Sequence, residues 1–449
     1  MYELKDILKD EQTLKKIIFQ ALFELQGKVD DSHICIQKTY NNIITVRNGL
    51  TEYIEFSDDI FFSITVYLNN RKGTVTSTDI SINSLKRTIN SAIEIAKLTS
   101  PDYNSGLPKF NLFSYEALDL DLFHLSILDL KDGVKLARLT EKYALNFDKR
   151  IINTEGSCFS SSIKITAFGN TKGIVQTYKS SEYSLSVCTI SQERHSKKKE
   201  RDYYYSISRK FNDLKSPKYI GNKCSERSLM RLNSHKISTQ KLSVIFISDI
   251  SSEIFDCLAQ AIQGDKVYKK STFLLNSLQK VIFPVWLNIF ENPHIKRGLY
   301  SAPFDNEGTL TKPRFIVKNG VLQTWLLNSY SARKLNLQNT GHAGGIYNWI
   351  FLQKNNIALE FLLQKMNFGL VITDFMGDGF NLVNGDFSRG ASGYLIENGT
   401  FKHAISEITV SGNLKEIYKN IVCMSNDYDR RKSIQSGSIL ISEINISGM

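Results

Sequence analysis

Apolar positions near the start of the chain recur at helical spacing. Leu14, Ile17, Ile18, Ala21, Leu22 and Leu25 fall on one face, and Gly27 supplies a stop. Alternating stretches follow at 43–47, 52–56 and 61–68, divided by Asn48-Gly49 and by Ser57-Asp58-Asp59. Asn-Gly between alternating runs predicts a two-residue hairpin turn. The spacing predicts a second amphipathic helix over 82–99, with Ile82, Leu85, Ile89, Ala92, Ile93 and Ala96 on one face, and a third helix over 130–145. A meander then reads as strands 161–168, 173–178 and 183–191, with a turn at Gly169-Asn170. Helices against an antiparallel sheet make the predicted first domain, residues 1–230, an α+β unit.

The texture changes after residue 235. A strand at 243–248 leads into a helix at 251–263, whose stripe is Ile254, Phe255, Leu258, Ala261 and Ile262. Short strands follow, punctuated by Lys318-Asn319-Gly320 and Glu397-Asn398-Gly399, with one amphipathic helix at 357–368 and a closing strand at 438–446. Glycines gather at 341–345, 377–379 and 385–393, more than plain hairpins need, which suits close backbone approach. The expectation is a strand-rich, barrel-like second domain, 235–449, with these glycines at one rim.

Composition narrows the function classes. A chain of 449 residues with 42% hydrophobic and 22% charged content is globular. Its longest apolar run, 281–290, is broken by Pro284 and Asn288 and falls short of the ~20 residues of a membrane-spanning helix. The first residues mix acids and bases without an apolar stretch, so a cytoplasmic address is expected. The six cysteines have no paired-ligand spacing and read as free thiols. The formal charge is 56 − 45 = +11, and 193–241 alone holds 14 basic and 5 acidic residues, a net +9. That segment, with Tyr203-Tyr204-Tyr205, is read as a solvated loop or partner-facing surface. A nucleic-acid-binding module is the alternative it leaves open.

Phosphate-loop, GxSxG and HExxH motifs are absent, and no two of the seven histidines are spaced to share a helix face. What remains is two polar-glycine strings. One holds Gly341, His342, Gly344 and Gly345; the other holds Asp386, Ser388 and Arg389. Such strings suit either tight turns or backbone pairing with an extended peptide, and the two readings stand level. An autonomous hydrolase with a distributed site at His342, Asp386 and Arg389 is a further alternative.

At these strings the sequence resembles the TldE (PmbA) family, partner of TldD in a bacterial metallopeptidase pair. The resemblance rests on TGHAGGIYNW at 340–349, GDFSRGA at 385–391, SEITVSGNL at 406–414 and NSYSARKL at 328–335. It extends to Arg71-Lys72-Gly73 and Tyr219-Ile220-Gly221-Asn222 in the first domain. TldD-type chains carry HExxxH followed by Gly-Asp. Counting back from Gly264-Asp265 places Phe255, Asp256 and Gln260 at the two His and the Glu positions. The third ligand of such chains, a Cys, falls on the loop Ser436-Gly437-Ser438. The resemblance therefore implies a chain without its own metal or catalytic residues, forming a heterodimer with an HExxxH subunit that carries zinc or a similar divalent ion. It further implies cleavage of peptides or unfolded proteins, linked in the family to peptide-antibiotic maturation and antitoxin turnover. Gly341, His342, Gly344, Gly345, Asp386, Ser388 and Arg389 become the candidate substrate groove.

Overall fold

The computed structural model describes residues 4–113, 116, 118–126, 129–353 and 355–448. Its N-terminal half is a six-stranded antiparallel sheet curved into a half-barrel. The strands are β1 (Asp31–Arg47), β2 (Leu50–Leu68), β3 (Arg71–Ser77), β4 (Ile151–Asn170), β5 (Val175–Gln192) and β6 (Lys199–Ser208), in the order β3-β2-β1-β4-β5-β6. Two helices cover one end of the sheet: α1 (Leu4–Leu25) and α2 (Ile82–Leu98) bury their stripes against Ile34, Ile36, Phe62 and Ile64. Two more, α3 (Leu130–Leu145) and α4 (Pro217–Met230), cover Val46, Phe159 and Leu185 at the other end.

The Asn48-Gly49 turn forms as expected, with both residues at positive φ (52° and 73°). The predicted break at Ser57-Asp58-Asp59 does not form. These residues pair with Asn41, Tyr40 and Thr39 of β1, and Lys38 reaches Asp58 at 3.4 Å, so cross-strand bonding carries β2 through a polar stretch. The turn expected at Gly169-Asn170 lies just beyond it. Asn170 ends β4, and its side chain accepts from the amides of Lys172 and Ile174. The basic segment is not a solvated loop throughout. Residues 199–208 form β6, 217–230 form α4, and several of the cations are paired.

The C-terminal half opens with β7 (Gln240–Phe246), α5 (Ser248–Ala261) and α6 (Gly264–Tyr268). Next come β8 (Ile289–Asn292), β9 (Arg314–Lys318), β10 (Val321–Leu322), α7 (Ser329–Lys334), β11 (Asn348–Phe351) and α8 (Leu359–Met366). The chain ends with β12 (Gly369–Met376), β13 (Asp386–Glu397), β14 (Thr400–Asn413), α9 (Leu414–Lys419), β15 (Ile421–Met424), β16 (Ile434–Gln435) and β17 (Ile439–Ser447). Strands β14-β13-β12-β7-β17 close on themselves through a β14–β17 pairing, which makes a five-stranded barrel. A second sheet, β10-β9-β8-β11-β16, packs beside it. Helix α5 lies in the core between them: Ile250, Ile254, Phe255 and Leu258 meet Phe246 and Ile372 of the barrel and Ile289 and Phe351 of the second sheet. The strand-rich, barrel-like expectation holds, although α6, α7 and α9 escaped the pattern. Among the described residues no helix is long and apolar enough to cross a membrane.

Candidate functional site

Helix α5 sits at the register of the family's metal motif. Phe255 is fully buried, its ring 4.5 Å from that of Phe351 and 5.9 Å from that of Phe283. Asp256 and Gln260 lie on the exposed face, and Gln260 Nε2 donates to Asp256 Oδ2 at 2.7 Å. Ser436 is buried one turn upstream, 2.6 Å from Ser251 Oγ, and Ser438 Oγ accepts the amide of Ser248 at 2.9 Å. The loop therefore works as a hydroxyl clasp on the start of α5. These donors do not fit a zinc ion: one position is carbon only, two are tied to each other in solvent, and the serine hydroxyl is spent inside the core. Among the described residues no three His, Cys, Asp or Glu side chains cluster as a metal site.

The exposed face of α5 continues from Asp256 and Gln260 back to Glu253. Arg389, on β13, reaches that carboxylate, donates to Gly377 O at 2.9 Å and stacks 4.7 Å from the Phe375 ring. One candidate residue is thus brought beside the helix at the metal-motif register. The rest of its string behaves differently. Asp386 bonds Asn384 and Asn413 on the surface, while the amide of Ser388 donates to Gly379 O. Strand β13 pairs with β14 over this stretch, so its backbone offers no free edge to a peptide.

A cavity of about 460 Å³ opens beside Glu253, between the two halves. Tyr203, Tyr204 and Tyr205 of β6 form one wall, and an ionic lattice fills its floor. Arg227 bridges Asp202 and Asp249, Arg231 bridges Asp202 and Asp374, and Arg431 reaches Asp249 at 2.9 Å and Asp429 at 2.7 Å. Burial pushes the Asp249 carboxyl up, but Arg227, Arg431 and Lys432 outweigh it and hold the group below its ordinary value. Burial raises the Tyr204 and Tyr205 phenols to about 12, and Arg431 lies 4.4 Å over the Tyr205 ring. Within the basic stretch Arg227 and Arg231 thereby spend their charge on internal pairing, whereas Lys197, Lys198 and Lys199 are exposed.

The string 341–345 lies elsewhere. His342 is sealed: Nε2 is 2.8 Å from Glu291 Oε2, Nδ1 is 2.8 Å from Thr340 Oγ1, and the His342 and Glu291 side chains are each 1% exposed. Glu291 also accepts from Trp349 Nε1 and the Tyr347 amide. Burial raises this carboxyl, and the His342 pairing with those two donors brings it back below its ordinary value. His342 therefore anchors the loop and does not face an open groove. Gly341 is buried, while Gly344 and Gly345 line a second cavity between the halves. The residues of the distributed hydrolase site do not meet: no hydrogen bond or ion pair joins any two of His342, Asp386 and Arg389.

Sequence patterns of the PmbA/TldA metallopeptidase domain 1, central domain and C-terminal domain match residues 34–96, 123–232 and 239–448. A protein named metalloprotease PmbA homolog from Buchnera aphidicola of Acyrthosiphon pisum is 45% identical over the whole of both chains. Metalloprotease PmbA of Escherichia coli O157:H7 is 44% identical over 100% of this chain and 99% of its own. A Buchnera protein named metalloprotease TldD homolog is 20% identical over 91% of this chain. A solved Bacteroides thetaiotaomicron structure described as a modulator of DNA gyrase superposes with a TM-score of 0.91 at 25% identity, covering all of both chains. TldE from Thermococcus kodakarensis shares the fold, with a TM-score of 0.79 at 16% identity over 97% of this chain. With matches along most of its length and near-half identity to full-length relatives, the chain belongs to the PmbA/TldA metallopeptidase family.

Proposed function

We propose that this chain is the metal-free, TldE-type half of a cytoplasmic heterodimeric peptidase whose TldD-type partner carries HExxxH and its zinc or similar divalent ion. The observation that carries the reading is the state of α5. At the register where the metal motif belongs, Phe255 is buried among aromatic rings and Asp256 is tied to Gln260. An aspartate there has no metal-bound water to activate. The contribution of this chain is then to shape the space in which the partner cleaves a peptide or unfolded protein. Arg389, Glu253 and the tyrosine-lined cavity supply the wall nearest the helix, and the loop at Gly344 and Gly345 supplies another.

The test is co-expression with an HExxxH-bearing relative, followed by size exclusion, zinc analysis and a peptidase assay on an unfolded substrate. The expected result is a 1:1 complex with activity and zinc in the complex, and neither in the purified chain alone. Cleavage by this chain alone that survives Asp256→Ala, with about one tightly held zinc per chain, would overturn the proposal.

A further inference from the structure

The second cavity between the halves, about 380 Å³, has no part in the metal-motif geometry. Strands β4 and β5 supply one side with Lys164, Tyr178 and Glu182; the loops around Tyr300, Asp305 and Gly344 supply the other. Its volume sits at the lower end of the ~300–1,000 Å³ typical of ligand pockets, so it suits the end of a chain better than a folded segment.

Three features of its lining favour an anion. Lys164 is half-buried, and among the described residues no hydrogen bond or ion pair engages its ammonium. Burial lowers its pKa, with Arg209 adding to that effect and Cys35 and Glu182 opposing it. Arg209 is buried and spends its guanidinium on the carbonyls of Ser181, Gly298 and Leu299; its nearest carboxylate, Glu182, is 3.9 Å away and half-exposed. Finally, the amides of Gly344, Gly345 and Ile346 donate to no acceptor among the described residues, and Gly344 and Gly345 are exposed at the cavity. Unspent main-chain amides beside an unpaired cation make an anion-binding concavity.

Two groups oppose a second negative charge there, and both are muted. Glu182 is partly in water beside Arg209. Asp305 is buried, and burial together with Glu307 raises it to about 8, against the pull of the amides of Ala343, Thr309 and Glu307.

We propose that this cavity captures the carboxylate of a peptide, held by Lys164 and by the free amides of Gly344, Gly345 and Ile346. The proposal rests on the reading above that the chain handles peptides. It adds an anchor for one end of the substrate, remote from helix α5.

The experiment uses the purified full-length chain, so that it is independent of cleavage. Calorimetric titrations compare an N-acetylated hexapeptide as the free acid, the same peptide as the C-terminal amide, and an amide carrying one internal Glu. The free acid should bind at least tenfold more tightly than the plain amide. Lys164→Met should erase that difference, and Lys164→Arg should keep most of it, with circular dichroism showing both variants folded. If the Glu-containing amide matches the free acid, the captured carboxylate is a side chain; if it matches the plain amide, it is the chain terminus. Equal binding of acid and amide, or a preference that persists in a folded Lys164→Met, overturns the proposal. Loss of the carboxylate preference with the heterodimer still active discards the cavity and keeps the subunit reading. An intact preference in a chain that never pairs does the reverse.

Discussion

At the scale of single residues, burial decides which polar groups are available for chemistry. His342 shows it: its imidazole stands between Glu291 and Thr340 with no access to solvent, so its place in a conspicuous motif reflects packing. His33 is a second, partly buried histidine, with consequences for stability. Its ring packs on Phe168 and Tyr67, its Nδ1 is buried without a partner, and burial with the nearby Lys72 lowers its pKa from 6.5 to about 4. Between those values the unfolded chain binds more protons than the folded one. Stability contributed by neutral His33 is therefore complete above about pH 6.5 and falls as the pH drops toward 4. The two values differ by about 2.5 units, so the loss approaches roughly 3 kcal/mol at the acid end. His33→Phe should shrink the difference in urea stability between pH 7 and pH 5 by about 1–2 kcal/mol. An unchanged pH dependence in the variant would remove His33 from the account.

At the scale of elements, legibility followed how each element earns its burial. Stripes of large apolar residues, such as Leu14–Ile18–Leu25 in α1 or Leu85–Ile89–Ala92 in α2, were readable because one face meets one core. Helix α4 was not, because its buried face is Ile220, Gly221, Cys224, Ser225 and Ser228, small and half polar. Strand β6 hid its alternation inside a charged stretch whose partners lie on other segments. The same limit applied to the site. The register of α5 was visible from Gly264-Asp265, whereas the link from Arg389 to Glu253 and the convergence of Lys164 with Gly344 join distant segments. Small residues that permit contact are the least visible of all. A Cβ at Gly221 would stand 2.6 Å from Thr140 O and 2.8 Å from Ala144 N, so α4 packs on α3 through this glycine. Gly73 of β3 likewise touches the backbone of α2 at Ala92 and Ala96. Gly221→Ala and Gly73→Ala should each cost about 1–3 kcal/mol in denaturant stability through overpacking. A loss below a few tenths of a kcal/mol at both would show that the helices shift freely.

At the scale of the molecule, the question is whether the two predicted units, 1–230 and 235–449, behave as one body. The contacts between the two halves combine an apolar cluster, in which Phe304 packs on Phe168 and Tyr178, with specific polar clamps. Arg333 of α7 donates to the carbonyls of Asn104, Gly106 and Leu107, and Tyr330 Oη bonds Asp102 at 2.7 Å. On the other flank Arg431 joins Asp249 and Asp429 to the carbonyl of Tyr205 at 3.2 Å, while Arg231 reaches Asp374 at 3.1 Å. Removing one arginine from such a network leaves carboxylates or carbonyls buried without a partner, at a cost of several kcal/mol. The first cavity between the halves is lined by Arg231, Asp249, Asp374 and Arg431 of this network. The chain offers a direct probe of the coupling, because all three tryptophans, Trp286, Trp325 and Trp349, lie after residue 235. Their fluorescence reports the C-terminal half alone, whereas far-ultraviolet circular dichroism reports both. In the native chain the two urea transitions should coincide, as they do when a protein unfolds in one step. In Arg333→Ala/Arg431→Ala the halves should separate, with the fluorescence and dichroism midpoints parting by more than their error. Coincident transitions in that double variant would mean that the halves are held by something other than these two clamps.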